Sequence, residues 1–371
     1  MSANAIPTFE PPAWLRGGRA QTIFGGLWPG RVSSLKSAPI EVTLEDGDTL
    51  VALDSVPPDW SRGRNSRVAL LVHGLGGSAD SPYVARVASR LFRLGVRVVR
   101  MNLRGAGVGF GRARRFYHAG LSDDVRALAN RVVALTDSAP LTLVGFSLGA
   151  NLVLKLAGEA ASTPIAGFDS IIAAAPPIDL AACARHIQTP PNRIFDRNLT
   201  ALLKTAVSRR DRHYPELPAT KFTGIDTLYQ FDDKITARWN GFRDAEEYYA
   251  LSSSGRFIPL IKADGLVIHA VDDPFIPPEP FYKQNFPPGV TLELIPHGGH
   301  LGFYSRDRWD GDHRWLDARI AHWFRERIER ATPALTRMDA EIESDLAVLT
   351  DSWTTQTSEG DLNRHAATAV Q

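Results

Sequence analysis

From Lys36 onward, short apolar runs alternate with stretches whose apolar positions recur at helical spacing. That alternation predicts an α/β architecture, a mostly parallel sheet covered by helices. Ile40–Leu44 and Thr49–Val56, joined through Glu45-Asp46-Gly47-Asp48, read as an opening antiparallel hairpin, because Asp-Gly supplies the positive φ of a tight turn. Further runs follow at Val68–Val72, Val96–Asn102, Leu141–Gly145, Ser170–Ala175, Gly265–Val271 and Val290–Ile295. Most are apolar throughout, as strands buried on both faces are.

Between the strands, Pro82 to Leu94 places Val84, Val87 and Leu91 on one helical stripe and stops at Gly95, a left-handed cap. Ser122 reads as an N-cap followed by Asp123 and Asp124, leading into Val125, Leu128, Val132 and Leu135. A last helix is expected near His313 to Ile328, packed on the sheet edge. From Pro176 to Asp264 the chain runs too far between strands for an ordinary crossover, so inserted helices are expected there. The organisation is therefore read as an N-terminal extension packing on the core (1–35), an α/β core (36–176 and 265–330), a helical lid insertion between the strands ending near Ala175 and starting near Gly265 (177–264), and a tail (331–371). That tail is acidic, with seven acids from Asp339 onward against Arg364, and is expected to be mobile.

Composition narrows the function classes. The chain has 371 residues, 44% hydrophobic and 22% charged, with 42 Lys+Arg against 41 Asp+Glu, the profile of an ordinary globular protein. A net charge of +1 offers no field for gathering nucleic acid or an anionic membrane, so neither is expected as a partner. The one cysteine, Cys183, cannot form an internal disulfide and is read as a small buried hydrophobe in a reducing compartment. No basic n-region with an apolar run opens the chain and no stretch of 18 apolar residues occurs, so a cytoplasmic protein without a transmembrane anchor is expected.

The chemistry lies in the loops. Gly145-Phe146-Ser147-Leu148-Gly149 is a G-x-S-x-G motif between an apolar strand and an amphipathic helix. Chance supplies about 0.15 copies in a chain of this composition, so the strand-turn-helix context carries the assignment: a nucleophile elbow with Ser147 strained at its tip. Such an elbow requires an acid and then a histidine, each just beyond a later strand. After Gly265–Ala270 come Asp272 and Asp273; Asp273 is preferred because Pro274 and Pro277 fix a turn that presents it, with Asp272 left for a turn or salt bridge. After Val290–Ile295 comes Pro296-His297-Gly298-Gly299-His300, in which His300 is the expected base and His297 a loop or surface residue. Oxyanion donors are expected from the amides of Leu148 and of Leu75, the latter in His73-Gly74-Leu75-Gly76-Gly77-Ser78.

Other chemistries fail their tests. The glycines of Gly105 to Gly111 do not fall at relative positions 1, 3 and 6, so no dinucleotide fingerprint exists. Arg112, Arg114 and Arg115 lack interleaved aromatic platforms and read as a solvated face. Metal-ligand and Walker patterns are absent, and no metal or cofactor is expected.

Together these residues resemble the YheT-like branch of the α/β-hydrolases, related to animal α/β-hydrolase-domain lipases and esterases. The matching stretches include Pro12-Ala13-Trp14-Leu15 with Gln21-Thr22, His73 to Ser78, Asn102-Leu103-Arg104-Gly105 and Tyr117-His118-Ala119-Gly120 with Asp123-Asp124. Further on come Gly145 to Gly149, Phe231-Asp232, Gly241-Phe242 with Tyr248-Tyr249, Asp272 to Phe275 and Gly298 to Phe303. The resemblance implies hydrolysis of carboxylic esters, from short or medium acyl esters to acylglycerols or phospholipid-like esters, with Ser147 as nucleophile, Asp273 as acid and His300 as base. The membrane anchor of the animal relatives is not expected here. An acyltransferase would use the same triad, and a non-catalytic binding protein could share the fold; the sequence leaves oligomeric state open.

Overall fold

Strand β1 (Ala38–Thr43) pairs antiparallel with β2 (Thr49–Ser55), Thr43 facing Thr49, and Gly47 takes the positive φ of the turn between them. β2 in turn pairs antiparallel with β4 (Arg97–Asn102), which lies beside β3 (Val68–Val72). From β3 the sheet continues in parallel through β5 (Leu141–Phe146), β6 (Phe168–Ala174), β7 (Asp264–Ala270) and β8 (Val290–Ile295). The order is β1-β2-β4-β3-β5-β6-β7-β8, the α/β-hydrolase fold. Every residue of β3, β4 and β5 is buried, the reason their sequences show no polar alternation.

The computed structural model describes residues 8–61, 66–309 and 311–331. The described residues divide into two compact units between His322 and Trp323. The acidic tail expected at 331–371 lies outside the described residues from 332 onward, and residues 315–331 are helical.

Helices α1 (Gly18–Leu27), α2 (Pro82–Arg93), α3 (Ser122–Leu135) and α4 (Leu148–Glu159) accompany the first strands. α2 ends as its sequence predicts, with Gly95 at φ 79°. Ser122 does not: it is the first helical residue of α3 rather than its cap, and its hydroxyl donates to Glu159 Oε2 at 2.7 Å and accepts from Lys155 Nζ at 2.8 Å. A side-chain ion pair thus replaces the expected backbone cap. The structure also contains a two-stranded ribbon, β9 (Tyr304–Trp309) and β10 (Asp312–Arg314), that the pattern did not predict because Arg306, Asp307 and Arg308 offer no apolar alternation.

Between β6 and β7 lie α5 (Leu180–Ile187), α6 (Arg193–His213), α7 (Leu228–Phe231), α8 (Ala237–Trp239) and α9 (Ala245–Ser252). A π-helical segment, Asp232–Thr236, joins α7 to α8. The insertion has a small apolar cluster of its own, Leu203, Val207, Ile225, Phe231 and Ile235, against which Leu75 and Phe116 pack. Helix α10 (Glu279–Lys283) precedes β8. No helix among the described residues is long and apolar enough to cross a membrane.

Candidate active site

Ser147 stands between β5 and α4 with φ 52° and ψ −121°, a conformation that non-glycine residues rarely adopt. Close backbone approach enforces it. A β-carbon on Gly149 would lie 2.3 Å from the Val72 carbonyl oxygen, and one on Gly145 would lie 2.5 Å from Ala150 Cα. The Ser147 N–H donates to Ala174 O at 2.9 Å, pinning the turn to the next strand.

Beyond β7, Asp273 is buried and Oδ1 accepts the backbone N–H groups of Phe275 (2.8 Å) and Ile276 (3.1 Å). Its Oδ2 lies 2.8 Å from His300 Nδ1, and His300 Nε2 lies 2.9 Å from Ser147 Oγ. With Nδ1–H donating to the carboxylate, the neutral ring presents Nε2 as an acceptor to the serine hydroxyl. Burial would raise the Asp273 carboxyl, but the His300 ring and the Phe275 N–H hold it below the usual carboxylate range. The residue is held in two further ways: the main-chain N–H of His300 donates to Thr22 Oγ1 of α1 at 2.8 Å, fixing its backbone, and Phe275 stacks on the ring at 4.4 Å.

The neighbouring aspartates diverge. Asp272 Oδ1 accepts the Gly299 N–H at 2.9 Å and Oδ2 lies 3.3 Å from Nδ1 of the exposed His297, so this carboxylate holds the histidine loop rather than the histidine.

Leu148 opens α4, where the first N–H groups have no intrahelical acceptor. Leu75 lies on the loop after β3, and that loop touches Ser147: a β-carbon on Gly74 would be 3.0 Å from Ser147 Cβ. The amides on either side of Leu75 are tied down, Gly74 N–H to Tyr83 Oη (2.9 Å) and Gly76 N–H to Tyr117 Oη (2.8 Å). Burial pushes both phenols up, Tyr117 to about 12, so both stay neutral. His73 braces the same loop as a neutral ring: burial lowers it to about 4, Nδ1 donates to Gly74 O at 2.7 Å and Nε2 accepts Leu103 N–H at 3.1 Å. Sequence reasoning missed Tyr83, Tyr117 and Thr22 as parts of the site. Tyr117 and Thr22 lie in stretches that carry the family resemblance, while Tyr83 has no local signal.

Ser147, His300, Leu75 and Leu148 border a cavity of about 230 Å³ whose other wall is the insertion, through Leu180, Ile187, Leu199, Leu203, Leu228 and Phe231. Leu199 and Leu203 of α6 reach that cavity, whereas Ile194 on the same helix is 62% exposed and Phe195 packs against Phe275 at 5.0 Å. Cys183, expected as a buried hydrophobe, is half-buried and lines the cavity; burial, with Asp273 and Asp179 nearby, raises its thiol well above the usual range.

A family model described as the alpha/beta hydrolase fold matches residues 68–307. YheT of Escherichia coli (strain K12) is 32% identical over 291 residues, spanning 77% of this chain and 84% of its own. Phospholipase ABHD3 of Bos taurus is 25% identical over 345 residues, 87% of this chain and 79% of its own. Among solved structures, that of the 2,6-dihydroxy-pseudo-oxynicotine hydrolase matches with a TM-score of 0.52 at 16% identity, over 82% of this chain and 70% of that one, a likeness of fold.

Proposed function

The chain belongs to the α/β-hydrolase family and to its YheT-like branch, and from that premise we propose that it is a carboxylic ester hydrolase working through Ser147, His300 and Asp273. The observation that carries this reading is the unbroken line of contacts from Asp273 Oδ2 through His300 to Ser147 Oγ, at 2.8 and 2.9 Å. In the proposed mechanism, Ser147 Oγ attacks the ester carbonyl carbon as its proton passes to His300 Nε2. The amides of Leu75 and Leu148 hold the oxyanion, and the imidazolium is stabilised by Asp273. Collapse expels the alkoxide, which takes the proton from His300. Water, deprotonated by His300, then attacks the acyl-Ser147 carbonyl; collapse breaks the bond to Ser147 Oγ, which takes the proton back from His300, and releases the carboxylic acid. The residues named above need no cofactor for these steps.

The cavity beneath 177–264 is proposed as the acyl pocket, with that insertion as its lid; its mostly apolar wall suits short to medium acyl chains. The relative named as a phospholipase supports a lipid-like ester as the natural substrate. The test is intact-mass detection of a fluorophosphonate adduct with peptide mapping, beside kinetics on activated esters. Modification of Ser147 alone, and loss of kcat by roughly 10⁴-fold or more in Ser147→Ala, is the expected result. Labelling at another serine would overturn the assignment.

A further inference from the structure

The proposed mechanism makes no use of Asp232, yet this carboxylate lines the same cavity as Ser147 and is only 8% exposed. It sits at the start of the π-helical segment, a rare local geometry that inserts an extra residue into helical register and recurs at functional sites. Burying a carboxylate is costly unless a cation or several donors compensate. Here the compensation is two hydroxyls: Thr236 donates to Oδ1 at 2.8 Å and Tyr249 donates to Oδ2 at 2.8 Å. Among the described residues no Lys, Arg or His ion pair with Asp232 is seen, and burial pushes its carboxyl up to about 6. A carboxylate has roughly four acceptor positions, so the two bonds leave acceptor capacity unused.

The surroundings repeat the theme. Thr236, Tyr248, Tyr249 and His118 line the cavity beside it. His118 is neutral, burial lowering it to about 4, and its Nδ1 accepts the Gly120 N–H at 3.1 Å. The cavity that is apolar along Leu180, Ile187 and Leu228 therefore has a polar region around the Asp232 carboxylate, with no Lys or Arg among the described residues that line it.

We infer that Asp232 is a specificity subsite within the acyl cavity, recognising a hydrogen-bond-donating group, a hydroxyl or an ammonium, carried on the acyl chain of the substrate. The inference rests on the ester-hydrolase reading above. The acyl chain is the part addressed because it stays bound to Ser147 under the insertion after the alcohol has left. A site with unmet acceptors rejects an isostere that cannot donate far more strongly than an apolar pocket rejects a misfit, which is how a single carboxylate could set substrate choice.

The test compares kcat/KM for p-nitrophenyl esters of straight-chain acids with those of matched ω-hydroxy and ω-ammonium acids, over increasing chain length, on the full chain and on Asp232→Asn and Asp232→Ala. The expected result is a chain length at which a donor-bearing ester is cleaved about tenfold or more faster than its methyl-terminated match. The ammonium preference should be lost in Asp232→Asn and both preferences in Asp232→Ala. Preference for the ammonium alone would identify a cationic substrate, and preference for both a hydroxylated or cationic one. Methyl-terminated esters cleaved at least as fast at every length by the native enzyme would overturn the inference, whether or not the variants fold. So would a donor preference that survives Asp232→Ala. Absence of any ester hydrolysis by the native enzyme would instead remove the hydrolase reading on which the inference stands.

Discussion

At Gly149 the elbow leaves no room for a β-carbon beside the Val72 carbonyl, whereas Ile194 on α6 of the insertion stands 62% exposed. The two walls of one cavity are built by different means. Around Ser147 the geometry is set by backbone: strands buried on both faces, a positive φ, and amides tied to Tyr83 and Tyr117. Beneath the insertion it is set by side chains on helices with a small apolar cluster of their own. Substitutions on the first wall should therefore change the reaction by orders of magnitude, and those on the second should change substrate preference by degrees.

The sharpest break of that contrast would come from the two aspartates after β7. Asp273→Asn removes the carboxylate that fixes the His300 tautomer and should lower kcat by roughly 10⁴-fold with little change in melting temperature. Asp272→Asn loosens the Gly299 contact and should cost far less. Steady-state kinetics on one activated ester decides it; the reverse ranking would mean that the loop and not the relay is limiting.

The same contrast explains what was legible in the sequence. That Ser147, Asp273 and His300 would meet was readable because each lies in a short motif at the end of an apolar run, and strand ends converge in a parallel sheet. Thr22 was not readable as a histidine support: it meets His300 across 278 positions, and no local pattern records such a contact. Tyr83 reads as one more residue of an amphipathic helix, and only the fold turns its hydroxyl toward Gly74. The existence of the insertion followed from chain length between strands. Which of its residues face the cavity did not, since Ile194 and Leu199 have equally good helical spacing and only the packing separates them. Ser122 misled because an ion pair outcompeted the cap that its residue type favours.

On the backbone-fixed wall, stability should depend on Arg104, just past β4. Its buried guanidinium meets Asp124 at 2.7 Å, Asp46 at 2.6 Å and Asp48 at 2.8 Å, joining α3 to the β1–β2 turn. Arg104→Met strands these carboxylates and should cost about 3–5 kcal/mol, measured by denaturant unfolding. A loss under about 1 kcal/mol would show that water repairs the network.

On the insertion wall, Asp232 should leave a signature in stability against pH. Its folded-state pKa, about 6, lies above the ordinary carboxylate value, so the native state binds more protons than the unfolded state between about pH 4 and 6. Stability from this group is therefore present at low pH and lost as pH rises through that window, by up to about 3 kcal/mol. Asp232→Asn should flatten that part of the curve. An unchanged slope in the variant would mean that Asp232 is ionised at little cost.

The smallest effect expected is also the most direct measure of graded control. Leu199 lines the cavity from α6 and is only partly buried, so a larger side chain there can extend into the cavity without overpacking the cluster around Leu203. Leu199→Trp should shorten the preferred acyl chain, changing the kcat/KM ratio of a long ester to an acetyl ester by about tenfold, the scale at which an apolar pocket discriminates a methylene or two. Ile194→Trp, one turn earlier on the exposed face of the same helix, changes the helix surface without reaching the cavity and should leave that ratio where it was. Equal shifts in the two variants would mean that α6 acts on the pocket by moving as a body, and the division between a fixed wall and a side-chain wall would then have to be redrawn around the helix itself.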